Sequence, residues 1–217
     1  MPDKPTDPPA WTKVSLPLPA KHQWKAKEGY QIFVADAGAV RFEFPHGWVI
    51  RHDKKDTITF HNKPQPDDEA RISLTIFRLP MIPATWWKDL PMEKLMRDAV
   101  SKRDPREKAA DIKAGEAVDP NNDDVAKDDI DAQTPSFEIQ RRHGMELGWM
   151  EKRPWKDPEN GKMIRCHQVL ARGRRTQILI TFDFYQDTGD RFVPVWEHLL
   201  KSLRLEAPVN LDGTGRN

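Results

Sequence analysis

Val40-Arg-Phe-Glu-Phe-Pro-His-Gly-Trp48 alternates apolar with charged side chains and then breaks at Pro45 and Gly47. Alternation of period two marks a strand with one buried and one wet face. Pro-x-Gly marks where that strand stops, and Trp48 leads a second one. The pattern predicts Phe42 and Phe44 buried, with Arg41 and Glu43 exposed. Near the other end, Asp190 to Leu205 reads as an amphipathic helix finishing in Ser-Leu-Arg-Leu. Phe192, Val195, Trp196, Leu199, Leu200 and Leu203 form its stripe, and the capping position falls near Asp187 or Thr188.

Working outward, Tyr30 to Val34 is a short strand before an Asp-Ala-Gly turn. Thr57 to Phe60 and Ala70 to Ile76 continue as strands, with Ile72, Leu74 and Ile76 on one face. These pieces predict an antiparallel meander with short loops. The period then changes: Met92, Leu95, Met96, Ala99 and Val100 recur at helical spacing. Strands resume with Phe137 and Ile139, then Leu147 to Glu151. Asn160-Gly161 is a tight-turn signal leading into Met163 to Ala171. Thr176 to Phe184 follows, with Ile178, Ile180, Phe182 and Phe184 on one face. Strands, helix, linker, strands, helix predicts an α+β fold, an antiparallel β-sheet flanked by helices.

The 217 residues suit one domain. Residues 1–28 are proline- and lysine-rich and read as a flexible N-terminal arm; 207–217 read as a flexible tail. Between them, 29–206 form the domain, with an acidic insertion at about 104–134. Residues 104–131 hold ten acids against four bases, a net of −6, and no aromatic, so this span is expected to be a mobile linker. The 35 Lys+Arg nearly cancel the 34 Asp+Glu, which gives no bulk attraction to nucleic acid or an acidic membrane. A single cysteine, Cys166, rules out an intramolecular disulfide and fits a reducing compartment. No apolar run of signal-peptide or transmembrane length occurs. A cytoplasmic location is expected, with peripheral membrane association left open.

Phe42-x-Phe44-Pro45-x-Gly47-Trp48, the arginine-rich late hairpin and the closing Phe192…Trp196…Leu199…Ser202-Leu203-Arg204-Leu205 resemble the PsbP-like superfamily. That group includes photosystem II extrinsic proteins, DcrB-like bacterial proteins, type VI effector chaperones and a nuclear-import factor that binds the GTPase Ran. The resemblance covers roughly residues 30 to 206, with the acidic linker as an insertion. It implies an α/β/α sandwich around an antiparallel sheet and a binding or assembly role, and the DcrB-like and effector-chaperone branch is the expected one.

Catalytic signals are weak. The glycine-rich dinucleotide and phosphate loops and the Gly-x-Ser-x-Gly elbow are absent. His46, His52 and His61 lie around one hairpin, but no paired Cys/His spacing accompanies them, so they read as solvated or strand-edge residues and no metal is expected. Cys166 adjoins His167; on a strand, neighbours point to opposite faces, so a buried structural thiol is the better reading than an activated nucleophile. No cofactor is expected, and the chain is not expected to be an enzyme.

Binding signals are stronger. Met81, Ile82, Trp86 and Trp87 lie in a proline-flanked apolar loop, and adjacent aromatics in a loop do not easily share one core. With Trp149 and Trp155 they form the candidate partner-binding set. Residues 138–175 carry ten bases and five acids, a net of +5. Arg141, Arg142, Arg172, Arg174 and Arg175 are a candidate anion patch, although near-zero total charge makes a solvated sheet face offset by the acidic linker the better reading, and nucleic acid is a disfavoured partner. The expected function is a non-catalytic adaptor or chaperone-like module that holds an apolar segment of another protein. An accessory subunit of a larger, membrane-associated assembly is the alternative, and an enzyme comes third.

Overall fold

A computed structural model describes residues 24–52, 57–79, 91–92, 94–96 and 139–207. All the elements below lie in one compact unit, Ala26–Pro208. The strands are β1 (Tyr30–Ala35), β2 (Val40–Pro45), β3 (Val49–His52), β4 (Thr57–His61), β5 (Ala70–Arg78), β6 (Ile139–Arg142), β7 (Met145–Lys156), β8 (Met163–Arg172) and β9 (Thr176–Tyr185). Helix α1 (Gly189–Ser202) and a short strand β10 (Arg204–Leu205) complete the chain's described part.

The strands form two antiparallel sheets. The small one runs β1-β2-β10, and the large one β3-β4-β5-β9-β8-β7-β6. The predicted continuous meander is therefore corrected at one point: β2 and β3 follow each other in sequence but belong to different sheets. Pro45, which cannot donate a ladder hydrogen bond, and Gly47, at φ 82°, carry the chain across. A bulky side chain at that φ would be strained.

One face of the large sheet is the core. Phe60, Ile72, Leu74, Ile178, Ile180, Phe182 and Phe184 point into it and are fully or almost fully buried. Phe42 and Phe44 of the small sheet and Phe192, Val195, Trp196 and Leu199 of α1 close over them. Arg41 and Glu43 are half-buried rather than exposed. The reason is α1, which lies along β2: Glu43 N–H donates to Ser202 Oγ (3.0 Å) and the Glu43 carboxylate meets His198 Nε2 (2.8 Å).

The last predicted helix also ends early. It stops at Ser202, where the Leu203 N–H closes on the Leu199 carbonyl (2.9 Å), and Arg204–Leu205 turn into a strand on β2. No side-chain hydrogen bond from Thr188 caps its start; the Thr188 hydroxyl donates to Tyr185 O instead (2.7 Å).

On the opposite face of the large sheet, Met92 and Met96 pack against Met150 and Leu170. Residues 94–96 are helical as the spacing predicted, and the Leu95 N–H donates to the Pro91 carbonyl (3.3 Å). Met96 lies directly over Gly148, where a Cβ would stand 3.4 Å from Met96 Cγ, in ordinary van der Waals contact. Ala99, Val100, Phe137 and residues 104–134 lie outside the described residues.

Trp196 is the largest side chain of the α1 stripe and is buried between Phe182 and His167 (centroids 6.1 and 5.5 Å). Trp196→Ala is expected to cost about 3–5 kcal/mol, as truncation of a buried large aromatic does. Urea melts monitored by circular dichroism measure this, and a midpoint equal to wild type would show that the residue is not part of the core.

Candidate functional site

The site is built where β7 outruns β6. β6 pairs with β7 only from Met145 to Gly148. Among the described residues, the Trp149–Lys156 part of β7 pairs on one side only, with β8. Between Lys152 and Trp155 the β7–β8 register shifts by a bulge, which bends a strand and re-aims its side chains.

In this register Glu151 lies opposite His167 and Trp149 opposite Val169. Strand alternation puts Trp149, Glu151, Arg165 and His167 on the core face. Arg165 grips Glu151 with a two-pronged ion pair, Nε to Oε1 at 2.7 Å and Nη2 to Oε2 at 3.0 Å. That fork is the strong geometry for guanidinium and carboxylate. The Arg165 hydrogen bonds hold the Glu151 carboxyl below its usual range, and Glu151 in turn pushes Arg165 up.

His167 is 4% exposed and sits behind this pair. Nε2 is 3.8 Å from Glu151 Oε2, too long for a hydrogen bond, and neither ring nitrogen has a hydrogen-bond partner among the described residues. Its ring lies between Phe184 (5.3 Å), Trp196 (5.5 Å) and Trp149, which stacks almost parallel at 6.3 Å and 11°. Burial pushes the His167 imidazole below its ordinary value; Glu151 opposes the shift and Arg165 adds to it.

A general base must reach the proton it takes, and His167 is buried with no hydrogen-bonded acid or nucleophile among the described residues. Cys166 is buried and outside any disulfide, and alternation along β8 turns it to the sheet's other face. Among the described residues no three His, Cys, Asp or Glu side chains are grouped to hold a metal. His61 is buried and engaged by Asp68 (2.8 Å) and Thr59 (3.0 Å).

The sequence-derived candidates separate. Met81, Ile82, Trp86 and Trp87 lie outside the described residues. Trp149 is 37% exposed over the seat made by His167, and Trp155 is half-buried beyond the bulge. Arg141 and Arg172 both hold Glu146 (2.8 and 2.7 Å), Arg172 from a buried position. Arg142 reaches α1, donating to the Leu200 carbonyl. Arg174 and Arg175 are exposed, and the Arg175 backbone N–H donates to Glu206.

Sequence reasoning did not find the Glu151–Arg165–His167 set. Arg165 and His167 are two apart on a strand, which places them on one face. Counting back from the Lys156–Met163 pair, however, sets Glu151 opposite Gln168 and on the wrong face, because the bulge between Lys152 and Trp155 is not visible in the sequence.

Antiparallel sheets with α1 packed on the core face define the PsbP-like α/β fold. The solution structure of the cyanobacterial PsbP protein CyanoP from Synechocystis sp. PCC 6803 shares it, with a TM-score of 0.50 and 14% identity over 83% of this chain and 94% of that one. The chain belongs to the Alr1449 family, which matches residues 31–125 and 121–209. The protein alr1449 of Nostoc sp. (strain PCC 7120 / SAG 25.82 / UTEX 2576) is 27% identical over 205 residues, 94% of this chain and 92% of its own. A crystal structure from Bacteroides thetaiotaomicron VPI-5482 matches with a TM-score of 0.48 and 12% identity over 82% of this chain; this chain spans about half, 48%, of that one. No helix among the described residues is long and apolar enough to cross a membrane.

The site makes stability depend on pH. His167, whose folded value is lowered, stays neutral in the fold while the unfolded chain takes a proton below about 6.5. Stability is therefore lost as pH falls from that value toward the folded one. Glu151, also lowered, adds a loss at more acid pH as its carboxylate is protonated. His167→Phe is expected to flatten the dependence between pH 7 and 5.5 while leaving the more acid limb. Urea midpoints across that range test this, and an unchanged slope would show that His167 protonates freely in the fold.

Proposed function

We propose that the protein is a non-catalytic binding module of the adaptor or chaperone type, holding an apolar segment of a partner protein at the β7 edge. The observation that carries the reading is Trp149. It is a large aromatic, 37% exposed on a strand with one paired side among the described residues, and it is held in place by stacking on a buried ring. A rigidly seated tryptophan loses little side-chain freedom on binding, which is why such residues anchor interfaces.

An effector chaperone of the DcrB-like branch is the concrete form of this reading. Trp155, which the bulge sets opposite Ile164 on the other face of the sheet, and Met81, Ile82, Trp86 and Trp87 are proposed as further partner-binding residues. A cytoplasmic location is part of the proposal, and the buried Cys166, which is in no disulfide, supports it. The domain is proposed to span 29–206, with the acidic span at about 104–134 as its insertion.

Trp149→Ser is expected to leave the thermal midpoint within a few degrees of wild type and to abolish co-purification of one stoichiometric polypeptide from the source cells. Quantitative mass spectrometry of tagged wild type and variant decides it. The same polypeptides at the same abundance with both would contradict the reading.

A further inference from the structure

The turn between β8 and β9 holds a carboxylate supplied by a distant part of the chain. Glu206 follows β10, and its Oε1 accepts the backbone N–H groups of both Arg175 and Thr176, the second at 2.9 Å. Two successive amides aimed at one oxygen make an anion-binding concavity. Gly173 lets the carboxylate come this close: a Cβ there would stand 2.7 Å from Glu206 Oε1 and 3.0 Å from its carboxyl carbon. The turn keeps its shape through other bonds. The Gly173 N–H donates to the Thr176 carbonyl and the Leu79 N–H to the Arg175 carbonyl, both at 2.8 Å.

Glu206 does not use all that the turn offers. A single oxygen takes both amides. The Arg174 and Arg175 side chains are exposed and in no ion pair among the described residues. The Thr176 hydroxyl is buried without a hydrogen-bond partner among the described residues. Nor does Glu206 sit there without cost. Its φ is 54°, in the left-handed region that a glutamate disfavours. The strand that delivers it pairs only two residues, Arg204 and Leu205, with β2, and the Glu206 N–H is anchored on the Ala39 carbonyl (2.9 Å). A carboxylate on a short strap with a strained residue is an occupant that a better-placed one can replace.

We propose that the β8–β9 turn is a receptor for a glutamate side chain of an acidic peptide segment, and that Glu206 occupies it as an internal stand-in until such a segment displaces it. An acidic segment brings neighbouring carboxylates to Arg174 and Arg175, and a guanidinium fork holds a carboxylate in two-pronged geometry. A tethered occupant raises the concentration that an outside ligand must reach, so the Glu206 contact sets a threshold for binding. The proposal does not rest on the Trp149 surface, and its test uses no partner protein.

The experiment titrates a capped tri-glutamate peptide into the isotope-labelled full chain at constant ionic strength and follows the Arg175 and Thr176 amide resonances by NMR. A capped tri-glutamine peptide and sodium chloride are the controls. Glu206→Ala is expected to bind tri-glutamate saturably and roughly tenfold or more tightly than wild type, because the tethered competitor is gone. Glu206→Gln keeps the length of the side chain but offers a neutral acceptor, so its affinity should fall between the two. It also decides the matter if Glu206→Ala disturbs the end of α1. Adding Gly173→Ala to Glu206→Ala should remove binding, since the new Cβ takes the place of the carboxylate oxygen. Equal affinity in wild type and both Glu206 variants, or no saturable response in either variant, would overturn the proposal. So would binding kept with Gly173→Ala, or a response to tri-glutamine or chloride as large as that to tri-glutamate.

Discussion

The fold depends on one aromatic contact set between two sheets that share no hydrogen-bonded ladder. Phe42 and Phe44 of the small sheet meet Phe60 of the large one at 5.5 and 4.9 Å, both edge-on, and Phe33 joins Phe60 at 4.9 Å. Edge-to-face rings attract beyond the area they bury. Each buried phenylalanine contributes about 1.5–3 kcal/mol relative to exposure. Phe182, Phe184 and Phe192 extend the cluster under α1, where Trp48 closes it at 6.1 Å from Phe182. Without this joint β1, β2 and β10 are a three-stranded ribbon with nothing to cover their apolar face.

Both candidate sites follow from how that joint ends. At the β7 edge the apolar layer stops short and gives way to His167, neutral because burial disfavours its charge, with the Arg165–Glu151 pair outside it. Trp149 covers the boundary and is left partly exposed. At the far end of α1 the chain turns directly into β10, so the seating of Glu206 on the β8–β9 turn is a consequence of docking the helix on β2. Adhesion by apolar packing places charged side chains at the rims.

Much of the fold was legible because its strands alternate cleanly. Val40 to Phe44, Ala70 to Leu74 and Thr176 to Phe184 each bury the residues that period two selects, and Ile76 is half-buried. The partition into two sheets was not, since a turn signal such as Pro45-x-Gly47 ends a strand without saying which partner the next one takes. The helix end was misread for a related reason: Leu203 and Leu205 continue the apolar stripe, yet Leu205 is buried as a strand residue opposite Val40. Of the candidate site, Trp149 was found from its residue type. The Glu151–Arg165–His167 set needed a register that one bulged residue shifts. Glu206 and the β8–β9 turn could be brought together only by knowing that β10 exists.

Native-state hydrogen exchange tests the central claim, that aromatic packing makes the small sheet, α1 and the large sheet one cooperative unit. The account predicts that the slowest amides of β2, β9 and α1 share a single opening free energy equal to that of global unfolding. Early exchange across β2 and α1 while β9 stays protected would show that the two sheets open separately, and would contradict it.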